Sequence, residues 1–266
     1  MRLAEKIRQI NRDGLGVHMP HVYVGDPCIG FTGKLLEVLA KNGGDIIEVG
    51  IPFSDPVADG PTFQSVCQRA LDNGITPSNC LDLVKNFREK GYDNPVILTT
   101  YYNIPYNMGL QEFSRRASDA GVQGVIIPNM PVEEAESFIE AAREHGVDVI
   151  FQVAPTTTEE RLKKVADVAA GFLYVINVQG VTGERDTIHQ STVNLIRRVK
   201  EHIDLPVLAG FGVSTARHAR VLMEAGANGV IAGSVYANVY QSYSDPLDSI
   251  ASIRDKVRDI KSGCIL

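Results

Sequence analysis

The stretch Asn42-Gly43-Gly44-Asp45-Ile46-Ile47-Glu48-Val49 ends a helix-like segment, turns at glycine and continues as an aliphatic run. Glycine suits the left-handed conformation at the end of a helix, and the aliphatic run after it is typical of a buried parallel strand. The same order returns in Ala120-Gly121-Val122-Gln123-Gly124, His145-Gly146-Val147-Asp148-Val149 and Ala225-Gly226-Ala227-Asn228-Gly229. This repetition predicts a chain that alternates helices with parallel strands.

Eight aliphatic runs lie along the chain. They centre near Val22, Ile47, Ile97, Ile126, Val149, Tyr174, Leu208 and Ile231. Amphipathic stretches such as 110–120, 159–169 and 215–225 separate them, and the spacing leaves room for one helix, in one case two, per crossover. Eight such units in 266 residues predict an α/β fold, a (β/α)8 TIM barrel with extra N-terminal and inter-strand helices. A doubly wound open sheet is the alternative that fits the same pattern.

The composition excludes several classes of protein. With 26 Lys+Arg against 32 Asp+Glu, the formal net charge is −6, which argues against a nucleic-acid-binding surface. No apolar run approaches the roughly 18 residues of a membrane-spanning helix, and the N-terminal residues lack the apolar core of a signal peptide. The 4 scattered cysteines lack metal-ligand spacing and indicate reduced thiols. We therefore expect one domain over residues 1–266 in the cytoplasm, with no nucleic acid, membrane or metal bound.

Glu48 is the residue that looks most out of place, because it interrupts the second aliphatic run. In a barrel of this kind, catalytic residues lie at the C-terminal ends of the strands and in the loops that follow. If the Glu48 carboxyl is partly buried in the barrel, its pKa rises, which suits it to general acid/base chemistry. A structural glutamate held in a salt bridge is the other interpretation.

The loop after this run, residues 51–62, carries three prolines, one glycine and two aspartates. Long, polar and stiffened loops of compact domains are often functional. If Asp59 folds back over Glu48, two carboxylates in different environments share one strand–loop unit. Otherwise Asp55 and Asp59 are ordinary turn or cap residues.

Glycine-rich turns follow the last three predicted strands, in Gly180-Val181-Thr182-Gly183, Gly210-Phe211-Gly212 and Gly233-Ser234. Backbone N–H groups at such turns and at helix N termini bind anions, and a phosphate site near the last two strands recurs in this barrel. No lysine lies in a predicted strand, which excludes a Schiff-base aldolase, and no dinucleotide-binding glycine motif follows a strand. The remaining chemistry is proton transfer by carboxylates on a small phosphorylated molecule.

Residues 48–62 closely resemble the signature segment of the tryptophan synthase alpha-subunit family, and the resemblance extends over nearly the whole chain. Other matching segments are Gly25-Asp26-Pro27, Thr100-Tyr101-Tyr102-Asn103, Ala154-Pro155-Thr156-Thr157 and the three glycine turns. The resemblance implies a carbon–carbon lyase of tryptophan biosynthesis. Its reaction is the retro-aldol cleavage of indole-3-glycerol phosphate to indole and glyceraldehyde 3-phosphate.

The resemblance also implies a role for each site residue. Glu48 is the acid/base, which protonates C3 of the indole and helps remove the proton of the side-chain hydroxyl, while Asp59 balances charge at the indole nitrogen. Tyr174 orients Glu48, and Thr182 helps close the site. The substrate-orienting set is Tyr174, Thr182, His21 and Tyr101. The phosphate-binding set is Gly183, Gly212, Gly233 and Ser234.

A partner follows from the same resemblance. The family works with a beta subunit that carries pyridoxal phosphate and receives the indole, so we expect an alpha2beta2-type complex. The alpha subunit itself needs no cofactor. Its contact with the beta subunit involves the loop after the second strand, here Pro52, Phe53 and Asp55.

Three segments depart from the family pattern. His21 stands where a phenylalanine usually packs near the indole, Asn177-Val178-Gln179 stands where Ser-Arg-Ser is usual, and Asn129 replaces an aspartate in a Pro-Asp-Leu-Pro segment. His21 and 177–179 favour one alternative, a paralogous phosphate-binding barrel lyase with a different substrate. A second alternative is a mainly regulatory alpha-type subunit. The complete pair of Glu48 and Asp59 argues against it.

Overall fold

The computed structural model describes residues 2–176, 188, 190–210 and 212–266. Within them, nine parallel strands form one sheet in the order β5-β4-β3-β2-β1-β9-β8-β7-β6. The strands are β1 (Val17–Tyr23), β2 (Ile47–Gly50), β3 (Val96–Thr99), β4 (Gly124–Ile126), β5 (Asp148–Ile150), β6 (Gln152–Val153), β7 (Leu173–Ile176), β8 (Val207–Gly210) and β9 (Gly229–Ala232).

Helices lie against the outer face of the sheet, except for one that lies across the end of the barrel. They are α1 (Leu3–Arg12), α2 (Ile29–Lys41), α3 (Pro61–Asp72), α4 (Pro77–Glu89), α5 (Asn103–Met108), α6 (Leu110–Asp119), α7 (Glu136–Glu144), α8 (Glu159–Val168), α9 (Gln190–His202), α10 (Ala216–Glu224), α11 (Ser234–Gln241) and α12 (Ile250–Ser262). The amphipathic stretches predicted from the sequence correspond to α6, α8 and α10, and threonine side chains cap the last two. The extra helices are α1 before β1 and the pairs α3–α4 and α5–α6 between strands.

The sheet closes into a barrel at Phe151. β5 pairs with β4 at one end of the strand order, and β6 pairs with β7 at the other, yet only Phe151 separates β5 from β6. The carbonyl of Phe151 accepts a hydrogen bond from the N–H of Tyr174 at 3.0 Å. The predicted α/β TIM barrel is confirmed, and the open sheet is excluded. The fifth predicted strand, near Val149, is divided because the chain changes its pairing partner at Phe151.

The interior of the barrel is apolar towards the N-terminal ends of the strands. This cluster consists of Leu3, Ile7, Val17, Met19, Ile46, Ile97, Ile126, Ile150, Phe172, Tyr174, Leu208 and Ile231. Leu3 and Ile7 belong to α1, so this helix covers the N-terminal end of the barrel. Side chains two residues further along a strand share its face. The inward-facing positions after Met19, Ile46 and Ile97 are His21, Glu48 and Thr99.

A membrane-spanning segment is not found in the part of the chain that the structure describes, since none of its helices is both long and apolar enough to cross a bilayer.

Candidate active site

Glu48 lies on the inner face of β2, at the end of the barrel where catalytic groups of this fold are found. Its side chain is 1% exposed. In the sheet register, Glu48 is opposite His21 of β1 on one side and Ile97 of β3 on the other. The charged residue that interrupts an aliphatic run therefore points into the mouth of the barrel.

The two oxygens of the Glu48 carboxyl have different surroundings. The hydroxyl of Thr99 donates a hydrogen bond to Oε1, and Nδ1 of His21 lies 3.5 Å from the same atom. Oε2 is buried and has no hydrogen-bond partner among the described residues. A buried polar atom without a partner is uncommon and costs free energy. Oε2 is thus the atom of Glu48 that is available to a bound molecule.

Burial raises the pKa of Glu48 to about 8. The hydrogen bond from Thr99 opposes this shift, and the nearby charge of Asp59 adds to it. At neutral pH the Glu48 carboxyl therefore carries a proton. A protonated carboxyl with one free oxygen is suited to act as a general acid.

Asp59 reaches the same region from the loop between β2 and α3. Its Oδ2 accepts hydrogen bonds from the hydroxyls of Tyr23 and Tyr101, each at 2.7 Å. Tyr101 also accepts a hydrogen bond from the N–H of Ala58 at 3.0 Å, which fixes the loop next to the aspartate. Burial raises the pKa of Asp59, and the two phenol hydrogen bonds oppose that shift. The loop therefore folds back far enough for the charge of Asp59 to act on Glu48.

His21 lies among aromatic side chains. Its ring centroid is 5.0 Å from that of Tyr23 and 4.8 Å from that of Phe63. Burial lowers the pKa of His21 to about 3, so its imidazole is neutral at physiological pH. Its Nε2 has no hydrogen-bond partner among the residues described.

Tyr174 of β7 is buried, and the carboxylates of Glu48 and Asp59 both affect the pKa of its phenol. Burial, followed by the charges of Glu48 and Asp59, raises the pKa of Tyr174 well above its usual value. A Cβ on Gly210 of β8 would lie 2.8 Å from the Tyr174 hydroxyl, so glycine leaves room for this ring. Within the described residues, no hydrogen bond joins Tyr174 to Glu48, and its orienting role stays a prediction.

The predicted phosphate-binding residues follow the neighbouring strands β8 and β9. Gly212 comes shortly after β8 with φ +75°, and Gly233 is the residue before α11, which begins at Ser234. The free N–H groups of a helix N terminus and the positive end of its dipole favour an anion. Thr182 and Gly183, together with 177–179, lie outside the described residues.

The predicted partner residues lie on the β2–α3 loop. Pro52 is buried, Phe53 stacks on Tyr101 with centroids 5.2 Å apart, and Asp55 is exposed. Val57 of the same loop is 79% exposed. Asn129 is also at the surface, and its side-chain oxygen accepts a hydrogen bond from the N–H of Tyr102 at 2.9 Å.

The sequence does not single out Thr99 and Tyr23, two further residues of the site. Each is the partner of a carboxylate, Thr99 of Glu48 and Tyr23 of Asp59. The period of two along β3, from Ile97 to Thr99, was the available signal for the threonine. Among the described residues, no group of three or more His, Cys, Asp or Glu is arranged to hold a metal ion.

Comparison with known proteins assigns the family. The family model described as tryptophan synthase alpha chain matches residues 7–262. The chain belongs to this family. The tryptophan synthase alpha chain of Methanocaldococcus jannaschii is 41% identical over 256 residues, which is 96% of this chain and 89% of the relative. That of Methanothermobacter thermautotrophicus is 44% identical over 239 residues, 90% of this chain and 87% of the relative.

Solved structures of tryptophan synthase have the same fold. One from Mycobacterium tuberculosis superposes with a TM-score of 0.91 at 30% identity, covering 100% of this chain and 98% of the matched chain. A tryptophan synthase complex from Pyrococcus furiosus gives a TM-score of 0.85 at 36% identity, covering 93% of this chain and 98% of the other. The described part of the chain thus has the fold of solved tryptophan synthase structures.

Proposed function

We infer that this chain cleaves indole-3-glycerol phosphate to indole and glyceraldehyde 3-phosphate. The observation that carries the inference is the Glu48 carboxyl, which is buried, has Oε1 bound by Thr99 and has Oε2 free. The reaction is the carbon–carbon lyase step expected of the alpha chain in tryptophan biosynthesis.

Glu48 has two tasks in this proposal. Its protonated carboxyl, a consequence of the raised pKa, transfers a proton from Oε2 to C3 of the indole ring. The carboxylate then accepts the proton of the adjacent side-chain hydroxyl. The C–C bond breaks, its electron pair restores the aromatic ring, and the hydroxyl carbon becomes the aldehyde. Glu48 ends the cycle protonated, so no cofactor is consumed.

Asp59 stabilises the positive charge that develops during this step. Protonation of C3 places positive charge on the indole nitrogen, and a fixed carboxylate near it stabilises the transition state. The two tyrosine hydroxyls on Oδ2 keep Asp59 in place without neutralising it. We assign the phosphate to the backbone N–H groups around Gly212, Gly233 and Ser234, with Gly183 as a further member.

A beta subunit is the partner in this proposal. One solved relative is described as the tryptophan synthase a2b2 complex of Pyrococcus furiosus. The alpha chain works without a cofactor, and pyridoxal phosphate belongs to the beta subunit. We propose that Pro52, Phe53 and Asp55 contact that subunit, and the exposed Val57 beside them supports this assignment. We place the complex in the cytoplasm and treat residues 1–266 as one domain.

In the direct test, the purified chain is incubated with indole-3-glycerol phosphate, in the presence or absence of a tryptophan synthase beta chain, and indole release is measured. The sequence contains no tryptophan, so indole fluorescence from substrate and product is read without tryptophan fluorescence from this chain. Indole release by the chain alone supports the proposal. No indole in either arm contradicts it. Release that requires the beta chain indicates tight coupling between the two subunits.

A lyase with a different phosphorylated substrate is the second candidate, and one observation favours it. His21 places a buried polar ring where the family usually has phenylalanine. Cleavage of another 3-substituted glycerol phosphate, with indole-3-glycerol phosphate inert, would select this candidate.

A further inference from the structure

Two neutral groups from different strands face the same oxygen of Glu48. Thr99 on β3 donates a hydrogen bond to Oε1, and Nδ1 of His21 on β1 lies 3.5 Å from that atom. β1 and β3 are the two neighbours of β2, so Oε1 is approached from both sides of its own strand. Neither the Thr99 nor the His21 contact involves Oε2.

We propose that His21 is a positioning residue for Glu48, which acts with Thr99 to hold Oε1 so that Oε2 exchanges the proton with the substrate. This inference rests on the proposed acid/base role of Glu48. It assigns to His21 a function that a phenylalanine at this position cannot perform, because a phenyl ring has no hydrogen-bond donor.

The imidazole of His21 is held firmly enough to serve this purpose. Tyr23 and Phe63 pack against its ring, and His21 is 7% exposed. The backbone at Gly233 also lies close to His21, because a Cβ added to this glycine would be 3.3 Å from the His21 Cβ. The separation of Nδ1 and Oε1 reaches hydrogen-bond range with a shift of about 0.5 Å.

The pair is a contact between neutral groups at physiological pH, since burial lowers the pKa of His21 to about 3 and raises that of Glu48 to about 8. In the tautomer that we assign, Nδ1–H donates to Oε1. Oε1 accepts from both Thr99 and His21 whether or not Oε2 carries a proton, because a protonated carboxyl keeps a carbonyl oxygen. Proton exchange is thereby confined to Oε2.

Loss of the Nδ1–H donor has a defined electrostatic consequence. A hydrogen bond to Oε1 is stronger when Glu48 is ionised, so its removal raises the pKa of Glu48. The other titratable groups that face Glu48 are Asp59 on the β2–α3 loop and Tyr174 on β7. Both remain in a His21 variant, so a shift of the pH profile reports the altered contact.

Three variants of His21 separate the two ring nitrogens. His21→Phe keeps the ring and removes both nitrogens. His21→Asn places an amide N–H close to the position of Nδ1, whereas His21→Gln places it close to that of Nε2. His145→Asn, at the end of α7, is the matched control because its contact is with Gln111, away from the carboxylates.

We expect His21→Phe to lower kcat for indole release about tenfold, with KM changed by less than about twofold. The alkaline limb of its kcat/KM profile moves to higher pH. His21→Asn recovers most of kcat and returns the limb towards the wild-type position, whereas His21→Gln behaves like His21→Phe. His145→Asn matches wild type.

Wild-type kcat and an unshifted limb in His21→Phe would overturn the inference. Rescue by Gln in place of Asn would overturn it as well, because it assigns the role to Nε2. If His21→Phe fails to fold, the Asn and Gln variants decide between the nitrogens. Failure of the wild-type chain to release indole is a separate result and contradicts the proposed function itself.

Discussion

Thr99 on β3 donates a hydrogen bond to Glu48 on the adjacent strand β2, and it does so to Oε1 alone. The second oxygen, Oε2, is buried without a partner among the described residues. In the proposed mechanism, this difference between the oxygens makes Oε2 the atom from which the buried glutamate donates its proton. The hydroxyl of Thr99, an uncharged residue that does not stand out in the sequence, therefore belongs to the proposed site.

Thr99→Val removes this hydroxyl and keeps the branched shape of the side chain. We expect kcat for indole release to fall about tenfold while KM stays within about twofold, because the carboxyl is less well oriented but the pocket is intact. Steady-state kinetics with indole-3-glycerol phosphate measure both constants. An unchanged kcat would show that Thr99 only fills space.

Asp59→Asn removes the charge that, in the proposed mechanism, balances the indole nitrogen. We expect kcat to fall about 100-fold or more, as for the loss of one electrostatic contact to a developing charge. The exposed Asp82 on α4 provides the matched control, and Asp82→Asn leaves kcat unchanged. A mild effect of Asp59→Asn would show that Asp59 has only a structural role, that of anchoring its loop.

The stability of the protein should depend on pH through Glu48. Its pKa is raised by folding from 4.5 to about 8, so the folded state retains the proton that the unfolded state has released. The stability contributed by Glu48 is complete below pH 4.5 and is lost as pH rises towards 8.

Glu48→Gln removes this dependence because glutamine does not titrate. Relative to wild type, its free energy of unfolding should rise across that window, by about 1 kcal/mol or more at the upper end. Urea unfolding at several pH values measures the difference. Glu140→Gln, an exposed change on α7, should show no such trend. A flat difference for Glu48→Gln would mean that Glu48 is ionised in the folded protein.

Ser234→Asp tests the phosphate site with a change of charge. An aspartate at the start of α11 interacts favourably with the helix dipole, so the melting temperature should not fall. The same charge repels a bound phosphate, and KM for the substrate should rise about tenfold or more. Ser234→Asn, similar in size and uncharged, is the control and keeps KM close to wild type. Equal KM values in both variants would place the phosphate elsewhere.

Much of the fold was predictable because it rests on local patterns. Each of the four glycine turns quoted from the sequence precedes a strand, and the strands near Ile47, Ile126 and Ile231 lie where the pattern places them. The break at Phe151 was not predictable, because it depends on which strands close the barrel. That choice is made by residues far apart in the sequence.

The site was predictable only where a residue contrasts with its neighbours. Glu48 is conspicuous because it is charged within an aliphatic run, and Asp59 because its loop is long and polar. Thr99 and Tyr23 give no such contrast, since threonine and tyrosine are common in strands. Tyr23 and Tyr101 meet Asp59 across 36 and 42 residues of sequence, a convergence that only the folded chain reveals.

The measurement that tests the central claim most directly compares wild type with Glu48→Gln in indole release and in substrate binding. Glutamine keeps the size of the side chain but cannot supply the proton from Oε2. We predict that Glu48→Gln binds indole-3-glycerol phosphate with a Kd within a few-fold of wild type, while its turnover falls by about 1,000-fold or more. Near-normal turnover in Glu48→Gln would contradict the assignment of Glu48 as the acid/base.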